Sequence, residues 1–132
     1  MKIVVDTSVI IAVIADEPEK ARLIELTKDS VIVTPPSIKW EIGNAFSAML
    51  KRSRIDLEQA VDAIDVYESI SLEVIDVDLK DAVRLAGRHK IYAYDAYILQ
   101  CAIENRLPLI SLDKDLIAVA KLEGVQVIEV NV

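Results

Sequence analysis

Cysteine occurs once in these 132 residues and histidine once. The chain therefore has no pair of thiols to cross-link and no Cys/His set for a zinc site. Cys101 stands among apolar residues and reads as an ordinary core cysteine. Aromatic residues are equally scarce, 5% of the chain against 53% hydrophobic overall, so the core must be aliphatic. No apolar run approaches the roughly 20 residues that cross a bilayer. The amino-terminal segment lacks the succession of basic region, apolar stretch and small-residue cleavage site that marks a secretory signal. A cytoplasmic protein with no membrane attachment is expected. Positive charge is the rarer sign: 15 Lys and Arg stand against 22 Asp and Glu, a net charge of −7. That excludes a protein holding nucleic acid through a broad basic field. An enzyme that meets nucleic acid at one small site stays open. Without repeats, low-complexity segments or linkers, the length fits one domain over residues 1–132.

What is present alternates. Lys2–Val5, Val31–Val33, "LEVIDV" from Leu72, Leu109–Ser111 and Val127–Val130 read as short strands, rich in β-branched residues. Between them lie helical segments: Ser8–Ala15, "DEPEKARLIELTKD" with Pro18 in its first turn, and "SIKWEIGNAFSAMLKR" with Ser37 as N-cap. Next come "LEQAVDAIDVYESI" behind an Asp56/Gln59 capping box, Lys80–His89 behind Asp78, the nearly all-apolar "YDAYILQCAIEN", and "KDLIAVAKLE" closed by Gly124. Strands alternating with helices predict crossovers and a mostly parallel sheet. The expected architecture is a three-layer α/β/α sandwich with roughly five strands. In such sheets ligands bind beyond the carboxyl ends of the strands.

Four acids sit awkwardly in this scheme. Asp6 ends the apolar run of the first strand with no charged partner beside it. Glu41 shares the helix stripe Ile38, Ile42, Ala45 and Met49. Asp95 opens the most apolar helix, and Asp113 follows "LPLIS" by one residue. Each has a plainer reading: Asp6, Asp95 and Asp113 as helix N-caps, Glu41 as an exposed residue. Together, though, they could meet at one edge of the sheet. Two unit charges ~4 Å apart repel by about 4 kcal/mol at an effective dielectric of 20, so four carboxylates there need protons or a cation. Oxygen ligands alone select Mg²⁺ or Mn²⁺, ions suited to phosphodiester hydrolysis.

The ordered motifs "VVDTSVI", "PPSIKWEIGNAF", "YAYDAYILQCA" and "PLISLDKDL" resemble the PIN-domain ribonucleases, and within them the VapC-type toxins of prokaryotic toxin–antitoxin pairs. The resemblance runs over nearly the whole chain. It implies a metal-dependent endoribonuclease with Asp6, Glu41, Asp95 and Asp113 as its acidic site and Mg²⁺ or Mn²⁺ as cofactor. Asp6 and Asp95 would be the most direct ligands, and Glu41 and Asp113 would ligate directly or through water. Thr7, Ser8 and Ser111 would orient carboxylates or waters, Asn44 would face the same pocket, and Asp115 would be a less regular fifth acid. The resemblance further implies an RNA substrate, an antitoxin whose basic segment covers the pocket, and a homodimer formed around Trp40 and Phe46.

Several residues outside the four motifs read as structural. His89 resembles a solvated helix cap, with Arg84 and Arg88 as possible phosphate contacts, and Lys51, Arg52 and Arg54 as an exposed helix end. Tyr92, Tyr94 and Tyr97 read as packing around the apolar helix, with base stacking as the alternative. Gly43 reads as a close-packing point. Two rivals belong to other classes: a phosphoacceptor-type signalling domain using Asp76, and a non-catalytic binding module on the same fold.

Overall fold

The protein, seen in a computed structural model, is described over residues 1–131; Val132, the last residue of the expected domain, lies outside them. Its elements are β1 (Lys2–Val5), α1 (Thr7–Ile14), α2 (Lys20–Thr27), β2 (Val31–Thr34), α3 (Ile38–Lys51) and α4 (Leu57–Ser69). They continue with β3 (Leu72–Val74), α5 (Leu79–His89), α6 (Ala93–Asn105), β4 (Leu109–Ile110) and α7 (Lys114–Leu122). The strands form one parallel sheet in the order β3-β2-β1-β4. The expected α/β sandwich is observed.

β1 is the centre of this arrangement. Val4 pairs with Val33 on one side and Leu109 on the other. Ile3, Val4 and Val5 are buried, and each stabilises the fold by about 1.5–3 kcal/mol through burial of its branched side chain. Helix α6 lies on β1 and contacts α5 and α7, while α1, α3 and α4 contact one another. Buried Ile98, Leu99, Cys101 and Ala102 of α6 join the same core as Ile38, Ile42 and Phe46 of α3. Burial pushes the Cys101 thiol up to about 11, with Glu104 adding to it, so it is an inert core thiol.

Four strands replace the expected five. Beyond β4 the chain pairs only through a parallel bridge of Leu109 with Val127. β4 is two residues long before its backbone turns off at Ser111, so no ladder remains for Val127–Val130 to follow. β3 is cut short for a related reason. Ile75 N–H still reaches the Thr34 carbonyl, but β2 then runs into Pro35 and Pro36, which have no N–H to give.

Local signals were followed closely at α4 and α5. Asp56 accepts the Gln59 N–H at 2.8 Å while Gln59 Oε1 accepts the Asp56 N–H at 3.0 Å. Asp78 accepts the Asp81 N–H at 2.9 Å. Ser37 departs from expectation: its backbone is already helical and its hydroxyl caps nothing, because the turn begins a residue earlier, at Pro36. Phe46 is core rather than surface, whereas Trp40 is 65% exposed. Gly43 is no close-packing point, since a Cβ there would meet open space. His89 is not a solvated cap either. Its Nε2 lies 2.9 Å from Glu123, which also accepts from Arg88 at 2.8 Å, tying the end of α5 to the end of α7.

Candidate active site

Asp6 leaves β1 and at once becomes the N-cap of α1, its Oδ1 accepting the Val9 N–H at 3.3 Å. Two serine hydroxyls add shorter bonds of 2.6 Å, Ser8 to Oδ1 and Ser111 to Oδ2. Each serine is also a relay. Ser8 Oγ accepts the Leu112 N–H at 3.0 Å, and Ser111 Oγ accepts the Asp113 N–H at 2.9 Å. The segment after β4 is thereby stitched to the segment after β1, and Asp113 is set at the head of α7. There it accepts the N–H groups of Asp115 and Leu116.

Glu41 comes from the first turn of α3, and Asp95 from the first turn of α6, where Tyr92 is the N-cap. Asp6, Glu41, Asp95 and Asp113 line one open cleft of about 420 Å³, together with Thr7, Ser8, Ala45 and Met49. No Lys, Arg or His lines it. A larger depression of about 570 Å³ lies around Trp40, Ile64 and Tyr67. Its walls are mainly apolar, with Lys39, Glu68 and the Tyr67 phenol as the ionisable groups, so the carboxylates are concentrated in the smaller cleft.

The electrostatics follow from this crowding. Burial raises the Asp6 pKa above the usual 3.8; the Ser111, Ser8 and Val9 hydrogen bonds oppose it, and Asp113 reinforces it. Burial also raises Glu41, with a counter-pull from the Thr7 hydroxyl and further repulsion from Asp95, Asp6 and Asp113. Asp95 is raised by burial and then by Asp113, Asp6 and Asp115, with no hydrogen bond to offset them. Thr7 Oγ1 and Glu41 Oε2 are buried without a hydrogen-bond partner of good geometry, although they face the same cleft. Capping and clustering thus coexist: Asp6 and Asp113 cap helices and still belong to the acidic set.

A model of the PIN domain family matches residues 3–122. The chain belongs to the PIN domain family. Among solved structures this PIN domain is similar to PAE2754 from Pyrobaculum aerophilum, at 24% identity and a TM-score of 0.72, covering 96% of this chain and 83% of that one. It is similar to VapBC2 from Rickettsia felis bound to a DNA fragment from their promoter, at 19% identity and a TM-score of 0.64, covering 97% and 98%. A third is Mycobacterium tuberculosis VapC20, a Sarcin-Ricin loop cleaving toxin, at 18% identity and a TM-score of 0.61, covering 88% and 93%. At these identities the likeness is one of fold. A search of curated protein sequences gives no significant match.

Not every expected member of the site reaches the cleft of this PIN domain. Asn44 is exposed and absent from its walls; Ala45 and Met49, four and eight residues after Glu41, occupy that face of α3. Asp115 is exposed as well and acts on Asp95 only through its charge. Conversely, Glu17 and Glu19 line the cleft, and Glu19 Oε2 is buried without a partner. Sequence reading assigned both to the start of a helix. The available signal was Pro18 between two acids, in the turn directly after the helix that Asp6 opens.

A divalent cation fits this donor set, which is all oxygen and includes the two orphaned atoms of Thr7 and Glu41. Among the described residues no three carboxylates, His or Cys side chains are gathered closely enough to enclose an ion. Mg²⁺ does not require that, because it is held by one or two carboxylates and keeps several waters. No helix among these residues is long and apolar enough to cross a membrane.

Proposed function

We propose that this PIN-domain protein is a metal-dependent endoribonuclease, the toxin of a toxin–antitoxin pair. One observation carries the reading: four carboxylates from four separate parts of the chain line one cleft that contains no cationic side chain. Asp6 and Asp95 would hold Mg²⁺ or Mn²⁺, with Glu41 and Asp113 ligating directly or through water. Bound there, the ion supplies an acidified water and offsets charge on the phosphate. The chain's own contribution is orientation and proton handling. Ser8 and Ser111 fix the Asp6 carboxylate from both sides. Glu41, whose proton affinity is raised, is the group suited to exchange a proton with the attacking water.

The partners follow from charge and shape. A cleft without cations in a chain of net charge −7 favours a basic inhibitory segment from an antitoxin, in the cytoplasm where both meet RNA. A homodimer would use the exposed face around Trp40, which has depressions on both sides. The signalling alternative gains nothing: Asp76 is exposed beyond the edge strand, and Asp78 is occupied in capping α5.

The test is RNA cleavage in Mn²⁺. Asp6→Asn and Asp95→Asn should each lower the rate by more than about a hundredfold, with circular dichroism showing an intact fold, and a chelator should silence the wild type. Cleavage at the wild-type rate by either variant would mean the roles are misassigned.

A further inference from the structure

The carboxyl edge of the sheet carries a second pocket besides the acid cleft. It measures about 390 Å³ and is lined by Ser37, Trp40, Asp76 and Tyr97, with Pro35 and Leu79. Pro35 directly follows β2 and Asp76 lies two residues beyond β3, so the pocket stands where those strands end. The acid cleft stands where β1 and β4 end. Two helices serve both. Helix α3 gives Trp40 to the pocket and Glu41 to the cleft, and α6 gives Tyr97 to the pocket and Asp95 to the cleft. Of the three tyrosines expected to pack around α6, Tyr97 thus also forms a pocket wall, while Tyr92 is 87% exposed and fails the expectation.

The chemistry of the walls is selective. Among the described residues of the lining, Asp76 is the one charged group. Its Oδ1 accepts the Val77 N–H at 2.9 Å, and no salt bridge engages it among the described residues. Ser37 Oγ is a buried oxygen without a hydrogen-bond partner. Lys39 Nζ lies 5.1 Å from the centroid of the Trp40 ring, so that ring already attracts a cation. Lys39 itself lines the larger depression on the other side of Trp40 and not this pocket. An anion would meet the Asp76 carboxylate in a chain of net charge −7, whereas a cation is drawn in by both.

We infer that this pocket binds an organic cation, a guanidinium carried on an alkyl stem. A planar guanidinium stacks on aromatic faces and pairs with a carboxylate through two parallel hydrogen bonds, and apolar walls cover its stem. A free small molecule and the arginine side chain of a second copy of this chain offer the same head group. None of the four cleft carboxylates is among the walls, so this pocket stands apart from the nuclease reading.

Trp40 is the sole tryptophan, so its fluorescence reports occupancy directly. The full chain, in chelator and at constant ionic strength, is titrated with N-acetyl-L-argininamide and separately with its uncharged isostere N-acetyl-L-citrullinamide. The arginine compound should give a saturable change with a dissociation constant of about 1 mM, and the citrulline compound should bind at least about fivefold more weakly. Asp76→Asn keeps an oxygen for the Val77 N–H and should weaken binding by about three- to tenfold. The double variant Asp6→Asn, Asp95→Asn should bind within about twofold of the wild type. Absence of saturation overturns the proposal, as does an equal response to both compounds. A loss that follows the double variant and not Asp76→Asn overturns it too, by moving the cation to the acid cleft. Where binding holds, sedimentation identifies the source. An oligomer that dissociates as the pocket fills assigns it to an arginine of the second copy, and an unchanged mass assigns it to a free small cation.

Discussion

Two groups of ionisable side chains in this PIN domain solve opposite problems. Where α5 meets α7, Glu123 faces Arg88 and His89, and the His89 hydrogen bond, with help from Arg88, holds its pKa below the usual value. In the cleft, Asp6, Glu41 and Asp95 face burial and one another, and their pKa values are raised. The first arrangement is complete within the chain and ties two helices together. The second is electrostatically incomplete, although Asp6 alone receives three hydrogen bonds. Hydrogen bonding orients these acids without neutralising them, which is what separates a site poised for a ligand from a structural ion pair.

The contrast should vanish when the missing charge is supplied. Mn²⁺ at a hundredfold excess over its dissociation constant should stabilise the protein by about 2.7 kcal/mol. That is a rise of roughly 8 °C in melting temperature for a domain of this size. The double variant Asp6→Asn, Asp95→Asn should show no rise. An equal shift in both would place the ion elsewhere.

Without metal, removing one charge from each group should act in opposite directions. Asp95→Asn relieves repulsion and breaks no hydrogen bond, so its melting temperature should rise by about 2–4 °C. Glu123→Gln removes the carboxylate charge shared by Arg88 and His89 and turns one of its two acceptor oxygens into a donor, and should lower it by about 3 °C. Shifts of the same sign would erase the distinction.

The smallest effect is in pH. Acids that bind protons more tightly when folded gain stability as pH falls toward their unfolded values of 3.8 and 4.5. Glu123 behaves oppositely: its contribution is present above 4.5 and is lost as pH falls through its lower folded value. Metal-free protein should therefore melt highest on the acid side of pH 7. The triple variant Asp6→Asn, Glu41→Gln, Asp95→Asn should lack that maximum. Circular dichroism melts across the range decide it.

Much of this was legible in the residues. β1, the Asp56/Gln59 capping box and the alternation that makes a parallel sheet are local signals, and tertiary structure did not overrule them. Asp6 was conspicuous because it ends a β-branched strand, and Asp113 because it closely follows an apolar one. The failures share a cause: they depend on which neighbour an element finds. The inward stripe of α3 was right for Ile38, Ile42, Ala45 and Met49, but Phe46, expected at a surface, is buried beside them. Asn44, three residues after Glu41, falls on the exposed side of that stripe and outside the cleft. The final strand had the right composition but no partner ladder. Glu17 and Glu19 reach the cleft through a turn whose path no periodicity announces. His89 found Glu123 34 residues away, a distance over which sequence says nothing of contact.

The bond from Ser111 to Asp6 spans 105 positions of the chain. A ribosome that has completed β1, β2, β3 and six helices has still not delivered Ser111 or Asp113. Until the segment after β4 emerges, the nascent product lacks one of the two serine bonds to Asp6 and one of the four cleft carboxylates. The acid pocket of this fold therefore closes only once β4 has docked beside β1.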